Sequence, residues 1–132
     1  MKKVKERACN ISITTSVDGE ETQISRVGSL RVSFAETAVC YQEENAAISL
    51  VIADGEALVV RTGDYSMRLP LRLNAITQGS IGVGGAEGTV EINTRRLAYS
   101  TTDDSLLLSL HYDLLFGRET QTMKIRLLAR AK

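Results

Sequence analysis

Ser109, His111 and Asp113 carry the three side-chain types of a hydrolytic triad, and they occupy alternate positions of one stretch of chain. Alternate residues of a strand point the same way, side by side and about 7 Å apart, so they do not hand a proton from one to the next. A serine nucleophile also needs a strained turn and an oxyanion pocket, and no Gly-x-Ser-x-Gly elbow surrounds Ser109. The trio therefore reads as a solvated polar face. His111 is the only histidine and Asp113 the only obvious co-ligand, so neither a metal site nor a cofactor is expected. An enzyme ranks behind a binding protein and an interaction protein. Cys9 and Cys40 are too few for a disulfide framework and read as reduced, mostly buried thiols in a cytoplasmic protein.

The glycines between Gly79 and Gly88 invite a phosphate-loop reading, but no Gly-Lys-Ser/Thr follows them. Glu87 stands where a dinucleotide fingerprint needs its third glycine, and the next segment has strand character rather than a helix start. The segment is expected to be a flexible connection at a barrel rim and the natural place for a lid.

The elements that would position these residues are legible in the last third of the chain. Leu106, Leu108, Leu110, Tyr112, Leu114 and Phe116 fall on every second position, the period of a strand with one buried face. Gly117-Arg118 suits a two-residue type II′ turn. Closing it pairs Phe116 with Glu119, Tyr112 with Met123, Leu110 with Ile125 and Leu108 with Leu127. The other face then sets Asp113 against Thr122, His111 against Lys124 and Ser109 against Arg126. A slip of one residue would set apolar side chains against polar ones.

Asp18-Gly19 and Asp54-Gly55 close two more hairpins with type I′ signals. The first sets Ile13 against Ile24, Ile11 against Arg26 and Cys9 against Gly28. The other sets Leu50 against Val59 and Ile52 against Ala57. Its second face is apolar too, with Val51 opposite Leu58 and Ser49 opposite Val60, and needs a cover from a partner subunit, a helix or a loop. Residues 29–35 and 37–42 form a further ribbon. Tyr65, Met67, Leu69, Leu71 and Leu73 alternate with polar residues, and Pro70 belongs on the outer side. Val90, Ile92 and Thr94 continue the pattern.

Turn signals separate segments of about 7–12 residues, as in an all-β sandwich or barrel. The fold expected is all-β: a single antiparallel meander barrel of 8–10 strands over residues 1–132, lipocalin- or calycin-like, closed so that edges disappear. With 132 residues, 43% hydrophobic and 24% charged, the chain is one globular domain. Sixteen basic and sixteen acidic side chains cancel, which argues against nucleic acid as a partner. Glu6 dilutes the small cluster Lys2, Lys3, Lys5 and Arg7, which reads as a solvated strand start. No apolar run is long enough for a membrane-spanning helix, and no secretory leader is visible.

Several short motifs resemble the YwiB-like family. They are Gly28-Ser29-Leu30-Arg31-Val32, then Val39-Cys40-Tyr41-Gln42-Glu43-Glu44, Leu58-Val59-Val60-Arg61-Thr62-Gly63, Thr94 after a strand, and Leu110-x-Tyr112-x-Leu114. The resemblance spans nearly the whole chain and departs from the family pattern at residues 79–88. It implies a calycin-like barrel and a bacterial, cytoplasmic setting, and it implies no activity or catalytic residue.

Two roles follow from a barrel. In one, the lumen holds a small amphipathic or anionic ligand. Arg26 and Arg61, both on core-facing positions, grip its head group, and Tyr41, Tyr112 and Met67 line the site. The alternative for each arginine is a strand-end position, reaching solvent or pairing with Glu43 or Glu56. In the other role the core is filled with side chains, and Val51, Leu58 and Val60 on the 46–61 hairpin form a homodimer or docking face.

Overall fold

The computed structural model describes residues 5–132, the side chain of Lys5 excepted; Lys2 and Lys3 of the basic cluster lie outside it. Ten strands form a closed barrel: β1 (Lys5–Val17), β2 (Glu20–Val32), β3 (Thr37–Glu43), β4 (Ala46–Ala53), β5 (Glu56–Gly63), β6 (Tyr65–Leu71), β7 (Ile76–Val83), β8 (Ala86–Thr102), β9 (Ser105–Phe116) and β10 (Glu119–Ala131). Each strand pairs antiparallel with its neighbours in sequence, and β1 pairs with β10 to close the ring. No helix is present among the described residues.

All three expected hairpin registers are the observed ones: Tyr112 faces Met123, Ile11 faces Arg26, and Leu50 faces Val59. The turn chemistry explains why. Asp18-Gly19 and Asp54-Gly55 hold positive φ at both central residues, while Gly117 alone does so in the last turn. Inward positions of all ten strands supply one core that includes Ile11, Leu30, Val39, Leu69, Ile92, Leu108 and Tyr112.

Several expectations need correction. Residues 79–88 are neither a loop nor a lid; they belong to β7 and β8, joined by a two-residue turn at Gly84-Gly85 with positive φ at both. Gly79 and Gly82 are there for close packing, since a Cβ would meet the Arg68 carbonyl oxygen at 2.5 Å or the Ser66 hydroxyl at 2.7 Å. Strand β2 ends at Val32 and β6 at Leu71, so Leu73 sits in a turn, 44% exposed. Cys40 is exposed rather than buried. Cys9 lies on the inner face and Cys40 on the outer face, with β2 between their strands, so the two thiols do not bridge. Pro70 lies on the outer side as expected, opposite Leu58.

Closure does not remove every edge, because the strands differ in length. Strand β2 has 13 residues and β3 has 7, and only Gly28–Val32 of β2 find partners on β3. Among the described residues, 20–27 therefore pair with β1 alone. In the same way β8, with 17 residues, leaves positions 95–102 without a partner on the β7 side.

Gly28 marks the point where β2 meets β3. A Cβ there would collide with the Cys40 carbonyl oxygen and come within 2.8 Å of Ile11 Cδ1. Gly28→Ala is expected to lower stability by about 2 kcal/mol, read as a lower urea midpoint. Gly88→Ala meets only the Ile81 carbonyl oxygen at 4.0 Å and should stay within about 0.5 kcal/mol of the parent.

Candidate functional site

Five residues were expected around a ligand, and alternation brings all five to the inner face at the end of the barrel that carries the 18–19, 84–85 and 117–118 turns. Tyr41, Ile48, Arg61 and Met67 form one cross-strand row over β3, β4, β5 and β6. Tyr41 to Met67 spans three strand spacings, about 14 Å. Tyr112 lies deeper, 1% exposed, and its hydroxyl is electrostatically coupled to that of Tyr41. Arg26 stands across the gap that opens where β2 leaves β3.

Burial raises the Tyr41 phenol to about 12 from an ordinary 10.0, and the Glu43 carboxylate adds to the rise, while the Arg26 guanidinium opposes it. Burial pushes Tyr112 higher still. The site thus keeps two neutral phenols near the Arg26 guanidinium.

The two arginines divide. Arg61 is committed to its own turn: Nη1 meets Asp64 Oδ1 at 2.8 Å, donates to the Tyr65 carbonyl at 2.7 Å, and the guanidinium lies 3.6 Å from the Tyr65 ring centre. Its hydrogen bond holds the Asp64 carboxyl below the usual range. The acid is Asp64, not Glu43 or Glu56; Glu56 instead pairs with Arg72 at 2.6 Å. Arg26 donates only to the Ser25 carbonyl, at 2.9 Å, with no carboxylate bonded to it among the described residues.

Sequence reasoning missed two groups beside Tyr112, one across the ladder from it and one next to it in the chain. The Thr94 hydroxyl is fully buried opposite Tyr112 and has no hydrogen-bond partner among the described residues. Just after it a β-bulge sends Arg95 and Arg96 both outward, while Thr94 and Leu97 both stay inside. The signal was present in the sequence: Leu97 falls out of phase with Val90, Ile92 and Thr94. Arg95 reaches back to Asp113 Oδ2 at 2.8 Å, and the Thr122 hydroxyl donates to Oδ1 at 2.9 Å. Asp113 is therefore buried, at 4% exposure, and not solvated as expected for the Ser109 face. Ser109 accepts from Arg96 Nε at 3.1 Å, and His111 faces Lys124 as expected.

Buried aliphatic side chains line the inner face, and concavities open on the outer wall. One of about 670 Å³ is lined by Asn10, Ser12, Ser25, Val27, Leu128 and Arg130, with Arg26 at its rim. Another of about 560 Å³ runs from Val27 past Cys40 and Ala47 to Val60. A third of about 330 Å³ is lined by Val51, Leu58, Arg68 and Pro70. Val51, Leu58 and Val60 are half-buried on this wall, where the row Ala38, Val51, Leu58 and Pro70 runs directly across four strands. Their expected cover by a helix is absent among the described residues; side chains of adjacent strands shield them in part.

The family described as "Domain of unknown function (DUF1934)" matches residues 8–127. Among solved structures, the ywiB protein from Bacillus subtilis is similar over 98% of this chain and 95% of its own, at 18% identity and a TM-score of 0.86. That likeness establishes the shared barrel. No curated protein matches the chain.

The raised phenols have a consequence at high pH. A phenol that binds its proton more tightly when folded stabilises the protein fully below the unfolded value, and that contribution is lost as pH rises through the folded one. Stability should fall between pH 10 and about 12 as Tyr41 ionises. Tyr41→Phe should shallow that fall in urea titrations. Arg26→Gln should move the Tyr41 phenolate absorbance step upward.

Proposed function

Because the chain belongs to the DUF1934 family, whose description assigns no activity, we propose its role from its own geometry: a non-catalytic interaction module that docks a protein partner on the outer wall of the 46–61 hairpin. The supporting observation is the contrast between the two faces of the sheet. Inside, buried aliphatic side chains and Tyr112 make up one core cluster, which supports a side-chain-filled interior. Outside, the apolar row through Val51 and Leu58, with Val60 beside it, is only half-covered and borders two concavities. Soluble domains seldom keep such a row outside without a use for it. The partner is a protein, and the wall serves as a homodimer face if that protein is a second copy. A reducing, cytoplasmic, bacterial setting suits Cys9 and Cys40 as free thiols.

A second reading, a cup for a small amphipathic or anionic ligand at Arg26, Tyr41, Tyr112 and Met67, is favoured by the partnerless Thr94 hydroxyl and by Arg26 without an acid. Arg61 contributes less to it, being paired with Asp64.

Thr94→Val separates the two. With a solid core it removes a stranded hydroxyl and should stabilise the protein by about 1 kcal/mol in urea. A loss of stability, together with a small molecule released on denaturation and seen by mass spectrometry, would favour the cup. For the docking wall, a photo-crosslinking amino acid at Leu58 or Val60 should trap one recurrent protein in cells, and the same group at Lys124 should not. Equal trapping from both walls, or none from either, rejects the docking face.

A further inference from the structure

The unpaired half of β2 has a geometry that fits a second copy of itself. The Asp18-Gly19 turn closes on the pair Val17 and Glu20, and the ladder alternates from there. Glu20, Thr22, Ile24 and Arg26 therefore aim their backbone groups at β1, while Glu21, Gln23, Ser25 and Val27 aim theirs away from it. The β1 ladder agrees, since Lys132 N–H donates to the Ala8 carbonyl at 3.0 Å and so assigns even positions of β1 to the β10 side. On the free side no strand among the described residues pairs with residues 20–27, and the ladder to β3 begins at Gly28. Among the described residues the Ser25 carbonyl is met there only by the neighbouring Arg26 guanidinium.

An exposed edge of this length is a template for another strand, and proteins normally guard it with charge or proline. No proline is present here, and of the three charges Glu20, Glu21 and Arg26, the first and last are opposite in sign and each lie three residues from Gln23.

We propose that two copies of this chain associate through antiparallel pairing of their β2 edges, with Gln23 opposite its own counterpart. Residues directly opposite in an antiparallel pair share a face, so a two-fold axis through the sheet allows only even with even and odd with odd. The Gln23-centred register sets Glu21 against Ser25, Thr22 against Ile24, and Glu20 against Arg26. Arg26 exchanges its own strand's Ser25 carbonyl for the Glu20 carboxylate of the second copy, and the freed carbonyl takes the Glu21 amide. Other allowed self-registers set Glu20 against Thr22, Ile24 or a residue already paired with β3, and form no ion pair. The second free edge, 95–102, carries Arg95 and Arg96 and no acid, so it lacks this self-complementarity. The chain's net charge of zero adds no repulsion between copies. The inference uses a different surface from the 46–61 wall and stands whether or not that wall binds a partner.

Sedimentation velocity of the full chain across a concentration series tests it. The expected result is a dimer. Gln23→Pro removes an amide that faces away from β1 and should give a folded monomer by circular dichroism. Should that variant misfold, Arg26→Glu sets two carboxylates opposite one another and should weaken dimerisation by about tenfold or more, with the double swap Glu20→Arg, Arg26→Glu restoring it. In a Cys40→Ser background, Gln23→Cys should oxidise to a covalent dimer and Ser25→Cys should not. A parent chain that stays monomeric into the millimolar range overturns the proposal. So does a dimer indifferent to both Gln23→Pro and Arg26→Glu.

Discussion

The ladder between β1 and β10 is the contact on which the rest depends. It joins the two ends of the chain, Cys9–Val17 against Met123–Ala131, and turns an open meander into a ring. Asp18 extends it beyond the last strand residue: its amide donates to the Thr122 carbonyl at 2.9 Å, and its carboxylate accepts from the Thr122 amide at 2.8 Å. Without closure the inner faces of β1 and β10 would have no opposite wall, and Ile11, Ile13, Leu127 and Ala129 would lie open to water.

Closure also decides what the interior can hold. A small ring of strands leaves room either for side chains or for one ligand. Here Leu, Ile and Val from around the ring, with Tyr112 among them, are buried in one core cluster. Arg26, Tyr41 and Arg61 sit toward one rim, near where β2 parts from β3, while Thr37 is buried at the opposite end. The strands that outrun their neighbours also supply the free edges. Those rim and edge features share one origin, a mismatch of strand lengths around a closed sheet.

Much of this was legible in the residues. Two-residue turns and strict alternation set the three hairpin registers and the set of inward residues, because both are local: a primed turn admits one pairing, and pleating assigns the faces. The placement of Tyr41, Tyr112, Met67, Arg26 and Arg61 on inner positions followed from the same rule. What failed was composition read without pairing. A glycine-rich stretch looked like a loop, yet Gly79 and Gly82 serve close approach of β7 to its neighbours and Gly84-Gly85 a tight turn, which no single segment reveals. Asp113 looked solvated because the bulge that brings Arg95 over it breaks the alternation only once.

The sequence by itself determined an antiparallel all-β chain, its hairpins and its core residues, since these rest on side-chain period and on turns a few residues long. Only the tertiary structure decided the register in which β1 meets β10, that Arg61 turns to Asp64, and which strand edges stay bare. Those outcomes depend on how many strands close the ring and how far each overruns the next. That is a balance among residues more than a hundred positions apart in the case of β1 and β10, which no local pattern encodes.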